Sequence, residues 1–200
     1  IINNFDIKSV KQNLPKYEIF PGIDNRINKI LTKPNPKNNL PQKNPIFMGV
    51  LNLTKDSFYD GGKFDNEKKA LTHAYKMLEE GADIIDVGAE STRPGASKVT
   101  YKEEIKKILP IVKILSKDNI TLSCDTRNSS TMEVVLDTGV SIINDISGLN
   151  YDRRTTNILK KYSCTYILTH SKGEPDVMQN NPFYNNATSD IYKFFKVKIQ

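Results

Sequence analysis

The stretch GADIIDVGAESTRPGA, Gly81–Ala96, decides how the rest of the chain is read. Its apolar core, Ile84 and Ile85, lacks helical length and is bounded by glycines, Gly81 and Gly88. The pattern predicts a short strand over Asp83–Val87 that runs into a polar loop, Gly88–Ala96. Asp86 and Glu90 stand four positions apart, so pleating puts them on one face. The loop then carries Ser91, Thr92, Arg93, Pro94 and Gly95: two hydroxyls, a forked cation and a Pro-Gly turn. A guanidinium held beside hydroxyls suits a phosphate or carboxylate ligand. Alone, such a loop reads more simply as a solvated surface turn. The same kind of loading at other strand ends is what favours a ligand.

Outward from this stretch, strands and helices alternate. Upstream, Ile46–Leu51 is an apolar run of strand length, followed by a polar loop, Asn52–Phe58, and a turn, Asp60-Gly61-Gly62. Asn66–Glu80 has helical spacing at Ala70, Ala74, Met77 and Leu78, with Gly81 as its C-terminal cap. Downstream, Thr100–Ser116 has helical spacing at Ile105, Ile108, Leu109, Val112 and Leu115. Thr100 and Glu103 form a capping box there, and Pro110 predicts a kink or a break. Further strands are predicted at Ile120–Cys124, Ser141–Ile143 and Cys164–Leu168. Further helices are predicted at Ser129–Asp137, Arg153–Tyr162 and Ala187–Lys198.

Repeated β-α units with apolar strands predict an α/β fold with a parallel sheet covered by crossover helices. Two architectures fit: an open doubly wound sheet, or part of a TIM-type eight-fold barrel. In both, function gathers at the C-terminal ends of the strands. Here those ends carry Asn52, Asp86, Asp125, Asn144 and His170.

Composition narrows the function class. The 200 residues carry 29 Lys and Arg against 23 Asp and Glu, a net charge of +6, but the lysines are scattered among acidic residues. That pattern speaks for solubility, not nucleic-acid binding, and the mild excess suits an anionic small substrate. The two cysteines, Cys124 and Cys164, have no C-x-x-C spacing, which leaves buried thiols in a reducing cytoplasm as the reading. No apolar run reaches membrane-spanning length. Residues 1–44, rich in Asn, Lys and Pro, read as an extension or linker, or the remnant of an upstream domain; order is expected from Pro45 onward.

Five segments together resemble dihydropteroate synthase, of the pterin-binding barrel superfamily. They are MGVLNLTKDSFYDGG (Met48–Gly62), GADIIDVGAESTRPGA (Gly81–Ala96), LSCDT (Leu122–Thr126), INDISGL (Ile143–Leu149) and YILTHSKGEPDVMQ (Tyr166–Gln179), in the family's order. The resemblance covers residues 45–200. The family's barrel has eight β-α units, whereas five are read here. Lys55, Cys124 and Thr169 depart from the residues usual in the family.

The resemblance implies condensation of 6-hydroxymethyl-7,8-dihydropterin diphosphate with 4-aminobenzoate, giving 7,8-dihydropteroate and pyrophosphate. It places Asp125 and Asn144 on the pterin ring edge, and Asp86 in the same pocket. It gives Asn52 as a ligand of Mg²⁺, Thr92 and Arg93 as the loop over pyrophosphate and aminobenzoate, and Phe58 as a wall of the aminobenzoate slot. The plainer readings are a structural hydrogen-bonding role for Asp86, a loop residue for Asn52, a helix cap for Asp125, a turn residue for Asn144 and local packing for Phe58. His73 reads as an exposed helix residue, and His170 as orienting the loop after it.

Two alternatives stand beside the synthase. One is a non-catalytic pterin-binding fragment that needs a second chain for the remaining strands. The other is a pterin-dependent methyltransferase domain, against which the Ser-Thr-Arg-Pro-Gly loop speaks. The partners expected are the two small substrates, with a homodimer or a strand-supplying chain as the protein partner. Neither nucleic acid nor membrane is expected. Five units leave two sheet edges open, so little synthase turnover is expected of this chain alone.

Overall fold

Five strands run parallel in chain order: β1 (Met48–Asn52), β2 (Ile84–Gly88), β3 (Leu122–Asp125), β4 (Ile142–Asp145) and β5 (Thr165–Leu168). They belong to a computed structural model that describes residues 40–41, 44–54, 63–90, 99–171 and 183–199. These all fall within one unit, Asn38–Gln200. The helices are α1 (Lys63–Glu79), α2 (Tyr101–Lys117), α3 (Ser129–Asp137), α4 (Thr155–Lys161) and α5 (Ala187–Ile199). All but a few of residues 1–44 lie outside the described residues.

The order β1-β2-β3-β4-β5 never reverses. A doubly wound sheet reverses at a central crevice, so that alternative is excluded. The order is that of consecutive units of a β/α barrel.

Pleating divides the sheet into two faces. Leu51, Ile85, Val87, Leu122, Cys124 and Ile143 point to the helices and are fully buried. They pack with Ala70 and Ala74 of α1, Ile108, Ile111, Val112 and Leu115 of α2, and Met132 and Val135 of α3. Burying side chains of this size contributes about 1.5–3 kcal/mol each, which makes this layer the main source of stability. The alternate residues face the other way: Met48, Val50 and Asn52; Ile84, Asp86 and Gly88; Ser123 and Asp125; Ile142 and Asn144. Ile84 and Ile142 are buried there, outside the helix-covered cluster.

Helix α2 begins as its sequence requires. The Thr100 side chain accepts from the Glu103 N–H, and the Glu103 carboxylate accepts from the Thr100 N–H, completing the capping box. Pro110 does not break it: the helix is continuous from Tyr101 to Lys117. Its buried stripe, Ile108, Ile111, Val112 and Leu115, holds the segment on the sheet across the proline's missing N–H.

All five strands begin one or two residues later than the sequence reading places them, and the first four run on past the C-terminal ends it gives them. The reading of Glu90 changes accordingly. β2 ends at Gly88, so pleating relates Asp86 to Gly88 and not to Glu90. The turn after β4 needs Gly148: its φ is +59°, and a Cβ there would lie 2.4 Å from the Thr169 carbonyl oxygen and 2.7 Å from Phe194 Cζ.

Candidate functional site

Register aligns the strand ends. Asn52 pairs with Gly88, Gly88 with Asp125, and Asp125 with Asn144, so one lateral row crosses four strands at their C-terminal ends. All four point to the face away from the helices. Asp86 lies one layer deeper, opposite Val50 and Ser123. It is therefore inside β2, two residues short of the strand end at which the sequence reading put it. Asn52 is exposed, Asp125 and Asn144 are partly buried, and Asp86 is only 3% exposed.

The row is packed tightly at its centre. A Cβ on Gly88 would sit 3.2 Å from Asp125 Cβ. Glycine at this position lets the Asp125 carboxyl lie over the end of β2. Asn144 Nδ2 donates to Asp86 Oδ2 at 2.9 Å. The other Asp86 oxygen, Oδ1, is buried without a hydrogen-bond partner, as is Ser123 Oγ beside it in register. Buried polar atoms of this kind are uncommon and call for a partner.

Carboxylates crowd Asp125. Burial first, then the charges of Asp86, Glu104, Asp145 and Glu90, push its pKa from an ordinary 3.8 up to about 7. The site thus holds a carboxyl that changes protonation near neutral pH, able to donate or accept a hydrogen bond. The helix-cap reading of Asp125 fails. Asn128 stands at the N-cap of α3, and the Ser129 N–H donates to Asp152 Oδ2 at 3.2 Å.

Several contributors were not singled out from sequence. Glu104 is fully buried in the first turn of α2, where it accepts from Asn128 Nδ2 at 2.9 Å and from the Thr131 hydroxyl at 2.5 Å. Burial raises its pKa despite these bonds. The signal was present: Glu104, Ile108, Ile111 and Leu115 share one helical stripe. Asp145 is also buried. It accepts from the N–H groups of Ser147 and Leu149 at 2.7 and 3.2 Å and from the Tyr166 hydroxyl at 2.5 Å. It shapes the turn after β4 and lies on the helix side.

Arg127 and Glu90 form the third unforeseen feature. Arg127 Nε donates to Glu90 Oε2 at 2.9 Å and Nη2 to Oε1 at 2.7 Å. The guanidinium lies 4.1 Å from the Tyr151 ring centroid and is 4% exposed. Its sequence signal was opposite charge two residues beyond the paired positions Gly88 and Asp125.

His170 does not join the row. It lies two residues past β5, its Nε2 is 3.1 Å from the Tyr184 hydroxyl, and its ring packs edge-on against Phe194. Most of the loop it was read to orient lies outside the described residues. His73 is exposed on α1, as read. Thr92, Arg93 and Phe58 lie outside the described residues. A cavity of about 410 Å³ opens between Met48, Gly49, Met77 and Ala82, at the other end of β1, and contains no residue of the row.

A parallel β/α sheet in barrel order, with a polar row at its C-terminal strand ends, defines the class: a β/α-barrel protein whose site is built by successive strand ends. Comparison with known proteins specifies it. The family model described as pterin binding enzyme matches residues 48–200. Dihydropteroate synthase of Bacillus subtilis is 36% identical over 156 residues, covering 78% of this chain and 54% of that protein. The synthase of Clostridium beijerinckii is 40% identical over 150 residues, covering 74% and 53%. Among solved structures, dihydropteroate synthase from Clostridium difficile in the presence of pteroic acid superposes with a TM-score of 0.71 at 38% identity, covering 77% of this chain and 57% of that one. The Burkholderia cenocepacia enzyme complexed with 7,8-dihydropteroate gives 0.67 at 33%, covering 80% and 53%. The chain belongs to the pterin binding enzyme family. It spans about half the length of the curated relatives it matches.

Proposed function

We propose that this chain carries the pterin-binding part of a dihydropteroate synthase site. The reaction joins 6-hydroxymethyl-7,8-dihydropterin diphosphate to 4-aminobenzoate. The aniline nitrogen forms a bond to the pterin CH2 carbon, the carbon–oxygen bond to the diphosphate breaks, pyrophosphate departs, and the nitrogen loses a proton. The observation that carries this reading is the row Asn52–Gly88–Asp125–Asn144, with Asp86 beneath it and bonded to Asn144.

A pterin edge offers adjacent N–H donors and acceptors. Asp125 meets donors as a carboxylate, and Asn144 offers both a carbonyl oxygen and an N–H. Asp86 holds Asn144 in place by accepting from its Nδ2, which turns the Asn144 oxygen toward the ligand. The amine is already nucleophilic and the leaving group good, so the chain's task is to bind and orient the pterin.

Asn52 fits one role for Mg²⁺. It offers a single exposed amide oxygen at the rim, and that ion keeps most of its shell as water and phosphate oxygens. When bound, Mg²⁺ neutralises charge on the departing diphosphate. The roles of Thr92 and Arg93 at the diphosphate, and of Phe58 at the aminobenzoate, rest on sequence resemblance. No helix among the described residues is long and apolar enough to cross a membrane. Both cysteines are free, in keeping with a cytoplasmic chain.

Titration of pteroic acid into the chain, followed by calorimetry, tests the reading. Saturable binding that is lost in Asp125→Ala supports it. Absence of binding by the folded wild-type chain between pH 5.5 and 8.5 overturns it.

A further inference from the structure

Strand β3 runs between Asp86 on β2 and Asn144 on β4. Asp86 is in register with Ser123, and Asn144 with Asp125, all on the face away from the helices. The 2.9 Å bond from Asn144 Nδ2 to Asp86 Oδ2 therefore crosses β3 between those two side chains. They leave the lane open by different means. Asp125 leans over the end of β2, its Oδ2 only 3.4 Å from where a Gly88 Cβ would stand. Ser123 is short. It is fully buried, and its hydroxyl makes no hydrogen bond.

We propose that Ser123 is a positioning residue for Asn144: its small side chain keeps open the lane through which Asp86 holds the Asn144 carboxamide. The purpose of that hold rests on the pterin-site reading; the lane itself does not. A buried hydroxyl without a partner costs free energy, so hydrogen bonding does not explain a serine here. Size does. Serine has a single γ atom, which can turn away from the bond. Valine has two, fills two of the three staggered positions, and puts a methyl into the lane.

Packing alone gives the opposite expectation. The register partner of Ser123 on β4 is Ile142, which is apolar and fully buried, and valine suits a strand. By burial and propensity, Ser123→Val would be harmless or stabilising. By the lane, it breaks the bond between Asp86 and Asn144 and frees the carboxamide to turn. The two expectations separate in the Asn144 side chain and in binding, not in stability.

The test follows the Asn144 side-chain amide by ¹⁵N–¹H NMR in the ligand-free chain, in wild type, Ser123→Val and the conservative Ser123→Ala. In wild type one Nδ2 proton is bonded to a carboxylate, so the two amide protons should be well separated. Ser123→Val is expected to move them to the positions of a free carboxamide, and Ser123→Ala to keep them where they are. Calorimetry with pteroic acid is run in parallel. Affinity is expected to fall about tenfold in Ser123→Val and to be restored in Ser123→Ala. Added to Asp86→Ala, which already lacks the bond, Ser123→Val is expected to cost nothing further. An Asn144 amide that stays put in Ser123→Val overturns the proposal. So does an equal loss of affinity in Ser123→Ala, which would make the hydroxyl the important group, and so does a full additional loss on top of Asp86→Ala. If Ser123→Val does not fold, Ser123→Thr, which adds one methyl, is expected to move the amide in the same direction, and no movement there overturns the proposal. If the wild type binds no pteroic acid, the function reading fails while the Asn144 amide still judges the lane.

Discussion

Asn144 on β4 reaches Asp86 on β2 with a 2.9 Å hydrogen bond, although β3 lies between their strands. Strands are spaced about 4.8 Å apart, so on a flat sheet residues two strands apart begin nearly 10 Å from each other. The bond closes that gap over Ser123 and reports a concave face. Asn144→Ala is expected to leave Asp86 buried with neither oxygen paired to Asn144. Stability should fall by about 1–3 kcal/mol, read by urea unfolding followed by far-UV circular dichroism. Asn144→Ala with unchanged stability would show that the bridge contributes nothing.

Stability should depend on pH through Asp125. Its pKa is about 7 in the folded chain against an ordinary 3.8. Between those values the native state binds more protons than the unfolded state. Stability is therefore greatest at the acidic end and is lost as pH rises through 7. Asp125→Asn removes the titrating group, so the variant should gain on wild type at pH 8 by an amount on the order of a few kcal/mol and show a flatter slope between pH 5 and 7. An unchanged slope in thermal melts would contradict the assignment.

Glu104→Gln keeps an acceptor for Thr131 and Asn128 but no buried charge. The raised pKa of Glu104 means that its charged form is disfavoured on folding. The variant should be more stable than wild type at pH 8, with the difference shrinking toward pH 4, and the Asp125 midpoint should fall because a neighbouring anion is gone. Denaturant midpoints at the two pH values measure the first effect.

Gly88→Ala tests the closeness of β2 to Asp125. The methyl would meet Asp125 Cβ at 3.2 Å, and the carboxyl must shift by a few tenths of an ångström. Pteroic acid affinity should drop at least several-fold, while the melting temperature changes little. Unchanged affinity would mean that Asp125 has slack.

Asp125→Ala should weaken binding of a pterin lacking the diphosphate more than Arg93→Ala does. An unpaired ring-edge contact costs about 1–3 kcal/mol, whereas Arg93 is assigned to the anion. Equal losses in parallel titrations would contradict this division.

The positions of the candidate row were largely legible because parallel strands write their cores as apolar runs and their ends as polar residues. Asn52, Asp125 and Asn144 were found this way, and register then placed them in one row. The depth of Asp86 was not legible, because hydropathy cannot show that the ladder continues through Val87 and Gly88. Glu90 was misread for the same reason: pleat parity holds only as far as the strand runs. Pro110 carried a strong local breaking signal that the buried face of α2 overrode. Glu104 was hidden by its charge although it stood on the apolar stripe, and Arg127 was hidden because its partner is 37 residues away.

The row of aligned strand ends also guards the assembly of the sheet itself. A slip of one residue in the pairing of β3 would turn Asp125 toward the helix-covered core and bring Cys124 to the opposite face. Each wrong alignment would drive a carboxyl or carboxamide into hydrocarbon. The polar residues of the row thus act as proofreaders during folding, and changes that make them apolar should be expected to cost uniqueness of structure.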